Sequence, residues 1–219
     1  MAADAAAAAR RRRRLPDLVE LFCGVGAHTM CLAPAFRRVL CVDVNPALVA
    51  QLRANAALNS RTRLVDAFPS DDAAPTAAAA AGSIVVDAAS PISVVGDAAD
   101  DDDTQSPPPT EILARCDDAA RWARRHADAG ARIRGVDVAT AWLLLDPPRA
   151  GLDAASRALA LRFRNVLYVS CNPLALRRDL DWLGARGLAP RQWCVLDHFP
   201  GSGHVENAVW LRPASPSSS

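Results

Sequence analysis

Four short apolar runs punctuate this chain, and each gives way within a few residues to glycine or proline and then to a helical pattern. DLVELF (17–22) runs into CGVG, RVLCVDV (38–44) into NP, AWLLL (141–145) into DPPRAG and NVLYVS (165–170) into CNP. Such runs are too short for buried helices and lack strict alternation, so they predict strands covered on both faces. Between them lie helical patterns: AHTMCLAPAF, PALVAQLRANAALN (46–59, with proline in its first turn), DAASRALALRF and PLALRRDLDWLGARG. RTRLV (61–65) reads as a weaker third strand, CDDAARWARRHADAG as a helix, and RQWCVLD (191–197) with VENAVWL (205–211) as two closing strands around HFPGSGH. The fold class that follows is α/β: a doubly wound, mostly parallel sheet with an antiparallel C-terminal strand pair.

Charge divides the chain into a body and an insert. Residues 1–65 carry ten arginines against four acids, residues 66–118 one arginine against twelve acids, and the remainder is again basic. All 25 basic residues are arginine. The alanine, aspartate and proline tracts between 67 and 114 cannot bury a core and predict a low-complexity acidic insertion. Within it, SIVVD and SPISVVG could form short strands. Residues 1–15 predict a disordered basic tail, 16–212 the folded domain and 213–219 a second tail. No apolar run is long enough to span a bilayer. The six cysteines show no CxxC pair and no metal-ligand spacing with histidine, which suits a reducing, intracellular compartment better than a disulfide framework.

In a doubly wound sheet, ligands bind outside the carboxyl ends of the strands. CGVG, Asp43, DPPR and SCNP all fall there. Gly24 and Gly26 supply freedom where a strand turns into a helix, letting the backbone approach a ligand. The third glycine of a dinucleotide fingerprint is replaced by Thr29. Asp43 follows at the distance where an acid binds ribose hydroxyls. Asp146 is held between a strand and two prolines, and Arg149 could meet phosphate. A D/N-P-P followed by an aromatic ring would suit methylation of amino groups; arginine in that place argues against it. Cys171 sits between a strand end and a helix start, with Arg177 and Arg178 further on, a setting that favours thiolate and hence a nucleophile. Cys23, Cys31, Cys41 and Cys194 read as small buried hydrophobes.

Taken in order, LVELFCGVG, CVDVNPALVAQLRANAALN, LLLDPPRAGLD, NVLYVSCNPLALRRDL and FPGSGHVE resemble the catalytic domain of the RNA uracil-5-methyltransferase family, and most of all its tRNA branch. The resemblance covers roughly residues 15–65 and 115–212. It implies a Rossmann-like class I S-adenosylmethionine methyltransferase fold. It also implies S-adenosylmethionine as cofactor, with Phe22, Gly24, Gly26, Asp43 and Asp146 at positions that bind it. Cys171 would be the nucleophile and Glu206 the base. RNA, most of all the T-loop of tRNA, would be the partner, with no membrane and no metal, and the protein a monomer. The family usually carries a further domain before this core, and the cysteine cluster that holds iron–sulfur in some ribosomal-RNA members is absent here. A catalytically idle binding module of this fold and a ribosomal-RNA uracil methyltransferase are the alternatives.

Overall fold

The computed structural model describes residues 14–68, 108–128, 130–197, 200–202 and 205–214. In chain order the elements are β1 (Leu15–Leu21), α1 (Ala27–Leu32), a 3-10 turn (Ala33–Ala35), β2 (Phe36–Asp43), α2 (Pro46–Leu58), β3 (Thr62–Leu64), β4 (Thr110–Cys116) and α3 (Ala119–Ala127). A small hairpin of β5 (Arg132–Ile133) and β6 (Val136–Asp137) follows, then β7 (Trp142–Leu145), α4 (Ala154–Ala160), β8 (Asn165–Ser170), α5 (Pro173–Gly184), β9 (Leu188–Leu196) and β10 (Glu206–Pro213).

The main sheet has eight strands in the order β3-β4-β2-β1-β7-β8-β10-β9. From β3 to β8 all pairings are parallel, and β10 runs antiparallel between β8 and β9. Two cores lie on its two faces. Val19, Leu21, Leu40, Leu143, Leu145 and Tyr168 pack with Trp122 of α3, Leu159 of α4 and Leu176 and Leu180 of α5. Leu18, Val39, Cys41, Ile112 and Leu144 pack with Val49, Leu52 and Ala56 of α2. Alternate residues of one strand thus feed opposite cores, which is why these strands read as unbroken apolar runs.

Short polar residues start the helices. The side chains of Asn45, Asp118, Asp153 and Asn172 each accept from backbone amides of the helix they precede, supplying the acceptors that a first helical turn lacks. Two of them stand directly before a proline at the first helical position.

The expected acidic insert needs correcting at both ends. Residues 110–114, read as part of it, belong to β4, which lies inside the sheet between β3 and β2, with Ile112, Leu113 and Ala114 buried. Three apolar residues flanked by Glu111 and Arg115 are too short a run to stand out beside QSPPPT. Phe68 is also buried, under the guanidinium of Arg38, 4.9 Å from its ring centre. Deleting 67–114 would therefore remove a strand of the sheet. The tracts at 69–107, with SIVVD and SPISVVG, lie outside the described residues, as do residues 1–13 and 215–219. β1 begins at Leu15, one residue inside the stretch read as tail. Among the described residues no helix is long and apolar enough to cross a membrane.

Under the strand ends of β7 and β8, Asp179 of α5 is fully buried. Its Oδ2 accepts from the amide of Leu152 at 2.7 Å and from the Tyr168 hydroxyl at 2.8 Å. Its Oδ1 meets Arg178 at 2.8 Å and Arg157 at 3.5 Å. Gly151, with φ of 80°, passes so close that a Cβ there would lie 2.6 Å from Asp179 Oδ2. Asp179→Ala would leave two buried donors and the Arg157 and Arg178 guanidinium groups without this acceptor. It should cost about 3–5 kcal/mol, read as a lower urea midpoint. A loss under about 1 kcal/mol would show that this carboxylate does not hold the loop.

Candidate active site

The turn after β1 is built from left-handed residues. Phe22, Gly24 and Gly26 have φ of 63°, 53° and 82°, a conformation that costs glycine little and phenylalanine more. The two glycines do different work. A Cβ at Gly26 would come within 2.8 Å of Leu52 Cγ, so Gly26 lets α2 pack against the turn. A Cβ at Gly24 would meet no atom within 4 Å, so Gly24 faces open space. Its amide donates to Asp43 Oδ2 at 2.9 Å, while Asn45 N donates to Asp43 Oδ1 at 2.9 Å. The end of β2 is thereby locked to the glycine turn, and the Asp43 carboxylate keeps further lone pairs for a ligand.

Beneath this turn lies a group that the motif reading passed over. Glu20, in the middle of the apolar run of β1, is fully buried. Thr29 of α1 donates to its Oε2 at 2.5 Å, and Oε1 has no hydrogen-bond partner among the described residues. Burial pushes the Glu20 carboxyl up to about 7, against the opposing pull of the Thr29 hydrogen bond. One turn away, His28 Nε2 donates to Asp146 Oδ2 at 3.2 Å, joining α1 to the end of β7. That hydrogen bond raises the histidine above its ordinary value despite partial burial, and the charges of Asp146, Glu20 and Glu206 act in the same direction.

Asn172 fixes the turn that carries Cys171. Its Oδ1 caps α5 at Leu174 N (3.1 Å) and Ala175 N (3.4 Å), and its Nδ2 donates to Arg149 O at 2.8 Å. The SCNP turn and the DPPR loop are therefore one unit. The helix amides expected to favour a thiolate at Cys171 are thus engaged by Asn172. Cys171 is half-buried. Across from it, β10 pairs with β8 so that Asn207 faces Ser170, and Glu206 and Cys171 are the next residues of the two segments beyond that last pair. Asn207 secures this junction, donating to Ser170 O at 3.4 Å and accepting from Trp193 Nε1 at 3.0 Å. His204 lies outside the described residues.

All seven residues singled out from the sequence (Phe22, Gly24, Gly26, Asp43, Asp146, Cys171 and Glu206) thus stand along the edge formed by the carboxyl ends of β1, β2, β7 and β8 and the start of β10. Glu20, His28, Asn172 and Asp179 were missed. An acid inside DLVELF and an asparagine before a helix-starting proline were the available signals. The edge offers acids and an open glycine backbone, with the orphaned Glu20 oxygen beneath it. This donor-poor, acid-rich set fits a ligand bearing ribose hydroxyls and positive charge. Among the described residues no group of three or more His, Cys, Asp or Glu is placed to hold a metal ion.

Sheet order, helix placement and the strand-end edge define a class I S-adenosylmethionine methyltransferase fold. A crystal structure of Pyrococcus abyssi tRNA (uracil-54, C5)-methyltransferase in complex with S-adenosyl-L-homocysteine superposes with a TM-score of 0.53 at 18% identity. The match covers 96% of this chain and 38% of that one. An N-methyltransferase from Bradyrhizobium japonicum with the same ligand gives 0.52 at 10% identity, covering 92% and 80%. The family model for tRNA (uracil-5-)-methyltransferase matches residues 2–67 and 118–214, so the chain belongs to that family. The tRNA/tmRNA (uracil-C(5))-methyltransferase of Nautilia profundicola is 28% identical over 196 residues, and that of Pseudoalteromonas translucida 25% over 199. Each match covers 90% of this chain, which spans about two fifths (40% and 41%) of those relatives.

A raised Glu20 makes stability depend on pH. The folded state holds this proton up to about 7, whereas the unfolded chain releases it near 4.5. Stability from this group is therefore complete below about 4.5 and falls as pH rises toward and through 7, by on the order of 3 kcal/mol. Glu20→Gln should remove that fall, so the variant gains on the parent between pH 5 and 8 in thermal unfolding. Parallel stability curves for the two proteins would contradict a buried, proton-holding Glu20.

Proposed function

We propose that this chain is the catalytic part of an S-adenosylmethionine-dependent RNA uracil-C5 methyltransferase, acting on tRNA in the T-loop through a covalent cysteine adduct. The observation that supports this most is the junction of β8 with β10, where the pairing of Asn207 with Ser170 leaves Glu206 and Cys171 as the next residues of the two segments, while Asn172 ties the same turn to the DPPR loop. A nucleophile, a carboxylate and an acid-lined cofactor edge would thus come from five separate stretches of chain.

C5 of uracil is a weak nucleophile until something adds to C6. Sγ of Cys171 forms a bond to C6, and the electron pair of the C5–C6 double bond moves toward O4, giving an enolate. A bound cofactor would supply a methyl group on a sulfonium; C5 would take it as the methyl–sulfur bond breaks and leaves its electron pair on sulfur, now a neutral thioether. Glu206 then removes the C5 proton, the C5–C6 double bond reforms, and the bond from C6 to Sγ breaks to return the thiolate. Asp43 holds the ribose hydroxyls, Gly24 lets the cofactor lie against the backbone, and Phe22 and Asp146 border it. The target base must leave its stack to reach Cys171. Arg149, exposed at the tip of the DPPR loop, is suited to a backbone phosphate.

Two measurements follow. Asp43→Ala should weaken S-adenosylmethionine binding by about 1–3 kcal/mol in calorimetry, and an unchanged affinity would remove Asp43 from the pocket. With T-arm RNA carrying 5-fluorouridine, the C5 fluorine cannot be removed as a proton. A covalent complex should then accumulate through Cys171, seen as a mass increase on a peptide containing that residue. Cys171→Ser should fold normally and yield no adduct and no methyl transfer. An equal adduct in Cys171→Ser would make another residue the nucleophile.

A further inference from the structure

The contact between His28 and Asp146 belongs to no step above, yet it spans the site. It joins residues 118 apart in sequence, one on α1 just after the glycine turn and one at the end of β7, through a 3.2 Å hydrogen bond. Both side chains keep access to solvent, at 42% and 37% exposure, so protons can exchange there. Among the described residues, the charged groups acting on His28 are Asp146 from the end of β7, Glu20 from β1 and Glu206 from β10, and all three are acids. Each of these acids favours protonation of the imidazole, Asp146 foremost.

The cofactor and its product differ by one charge. S-adenosylmethionine carries a sulfonium, and S-adenosylhomocysteine a neutral thioether. A pocket edged by acids favours the first. Protonating His28 offsets the charge of Asp146 and narrows that preference.

We infer that His28 is a positioning residue: it holds the Asp146 carboxylate in place, and by gaining or losing a proton it sets how strongly the site prefers the sulfonium cofactor over its demethylated product. The inference rests on the proposal that this edge binds S-adenosylmethionine. At high pH a neutral His28 keeps its Nε2 hydrogen bond and leaves Asp146 its full charge. At low pH the imidazolium keeps the bond and cancels that charge. Glu20 contributes a pH dependence of its own in the same direction, because its carboxylate loses its charge as pH falls.

The full chain can be titrated by NMR on the His28 ring, alone and with each ligand, alongside calorimetry from pH 5.5 to 8.5. Linkage requires that the cationic ligand lower the His28 midpoint, whereas S-adenosylhomocysteine should leave it nearly unchanged. In parallel, the ratio of the two affinities should fall roughly fivefold toward low pH. Asp146→Asn should move the His28 midpoint down toward the ordinary imidazole range. His28→Gln keeps a donor for Asp146 but cannot titrate, so it should retain cofactor binding and lose the part of the pH dependence that Glu20→Gln leaves in place. His28→Phe removes the donor as well and should weaken binding at every pH. Binding of both ligands with an unmoved His28 midpoint, or a full parental pH dependence in His28→Gln, would overturn the inference alone. Failure of the full chain to bind either ligand would overturn the cofactor reading and this inference with it.

Discussion

The buried carboxylate of Asp179 is the contact on which the strand-end edge depends. One side chain of α5 accepts from the backbone of the loop after β7 and from Tyr168 of β8, and it pairs with Arg157 of α4 and its neighbour Arg178. Arg178 in turn donates to Ala150 O at 2.9 Å. Burial and the hydrogen bond to Asp179 drive the Tyr168 hydroxyl far above its usual range, so it stays a donor at every physiological pH. A charge in this position is stable only while its donors are satisfied. The close pass of Gly151 keeps the loop against it. The loop that begins at Asp146 and the turn that carries Cys171 are both tied to this knot.

Above the knot the chemistry is arranged by a second set of bonds at the strand ends. Asn172 makes the DPPR and SCNP segments one body, Asp43 locks β2 to the glycine turn, and His28 joins that turn to Asp146. Each of these side chains bridges segments that follow different strands. The parallel sheet supplies the rigid frame, and the polar clasps set the spacing between the groups proposed to carry the methyl transfer. Acids predominate among the groups described at this edge, and a cationic cofactor suits that field.

Much of this was legible in the sequence because the strands buried on both faces announce themselves as unbroken apolar runs, and the residues that interrupt them mark the ligand edge. DLVELF, RVLCVDV, AWLLL and NVLYVS all became strands, and the C-terminal pair took the antiparallel arrangement expected of it. Strand β4 was hidden because its apolar centre is three residues long and stands beside a proline-rich tract. Glu20 was hidden for the opposite reason, since a single acid within a strand reads as a surface position until the covering helix α1 is in place. The asparagine and histidine clasps carry no periodic signal, because their value lies in contacts 23 and 118 residues away. The split role of the two glycines also required knowing where Leu52 lies.

The proposed chemistry requires the cofactor to bind at the carboxyl edge of the sheet. Amide chemical-shift mapping of the labelled full chain with S-adenosylhomocysteine tests this directly. The largest changes should fall on Gly24, on Asp43 to Asn45 and on the residues beside Asp146, with little effect on β9. Changes concentrated on β9, or spread evenly over the surface while the strand-end loops stay silent, would contradict it.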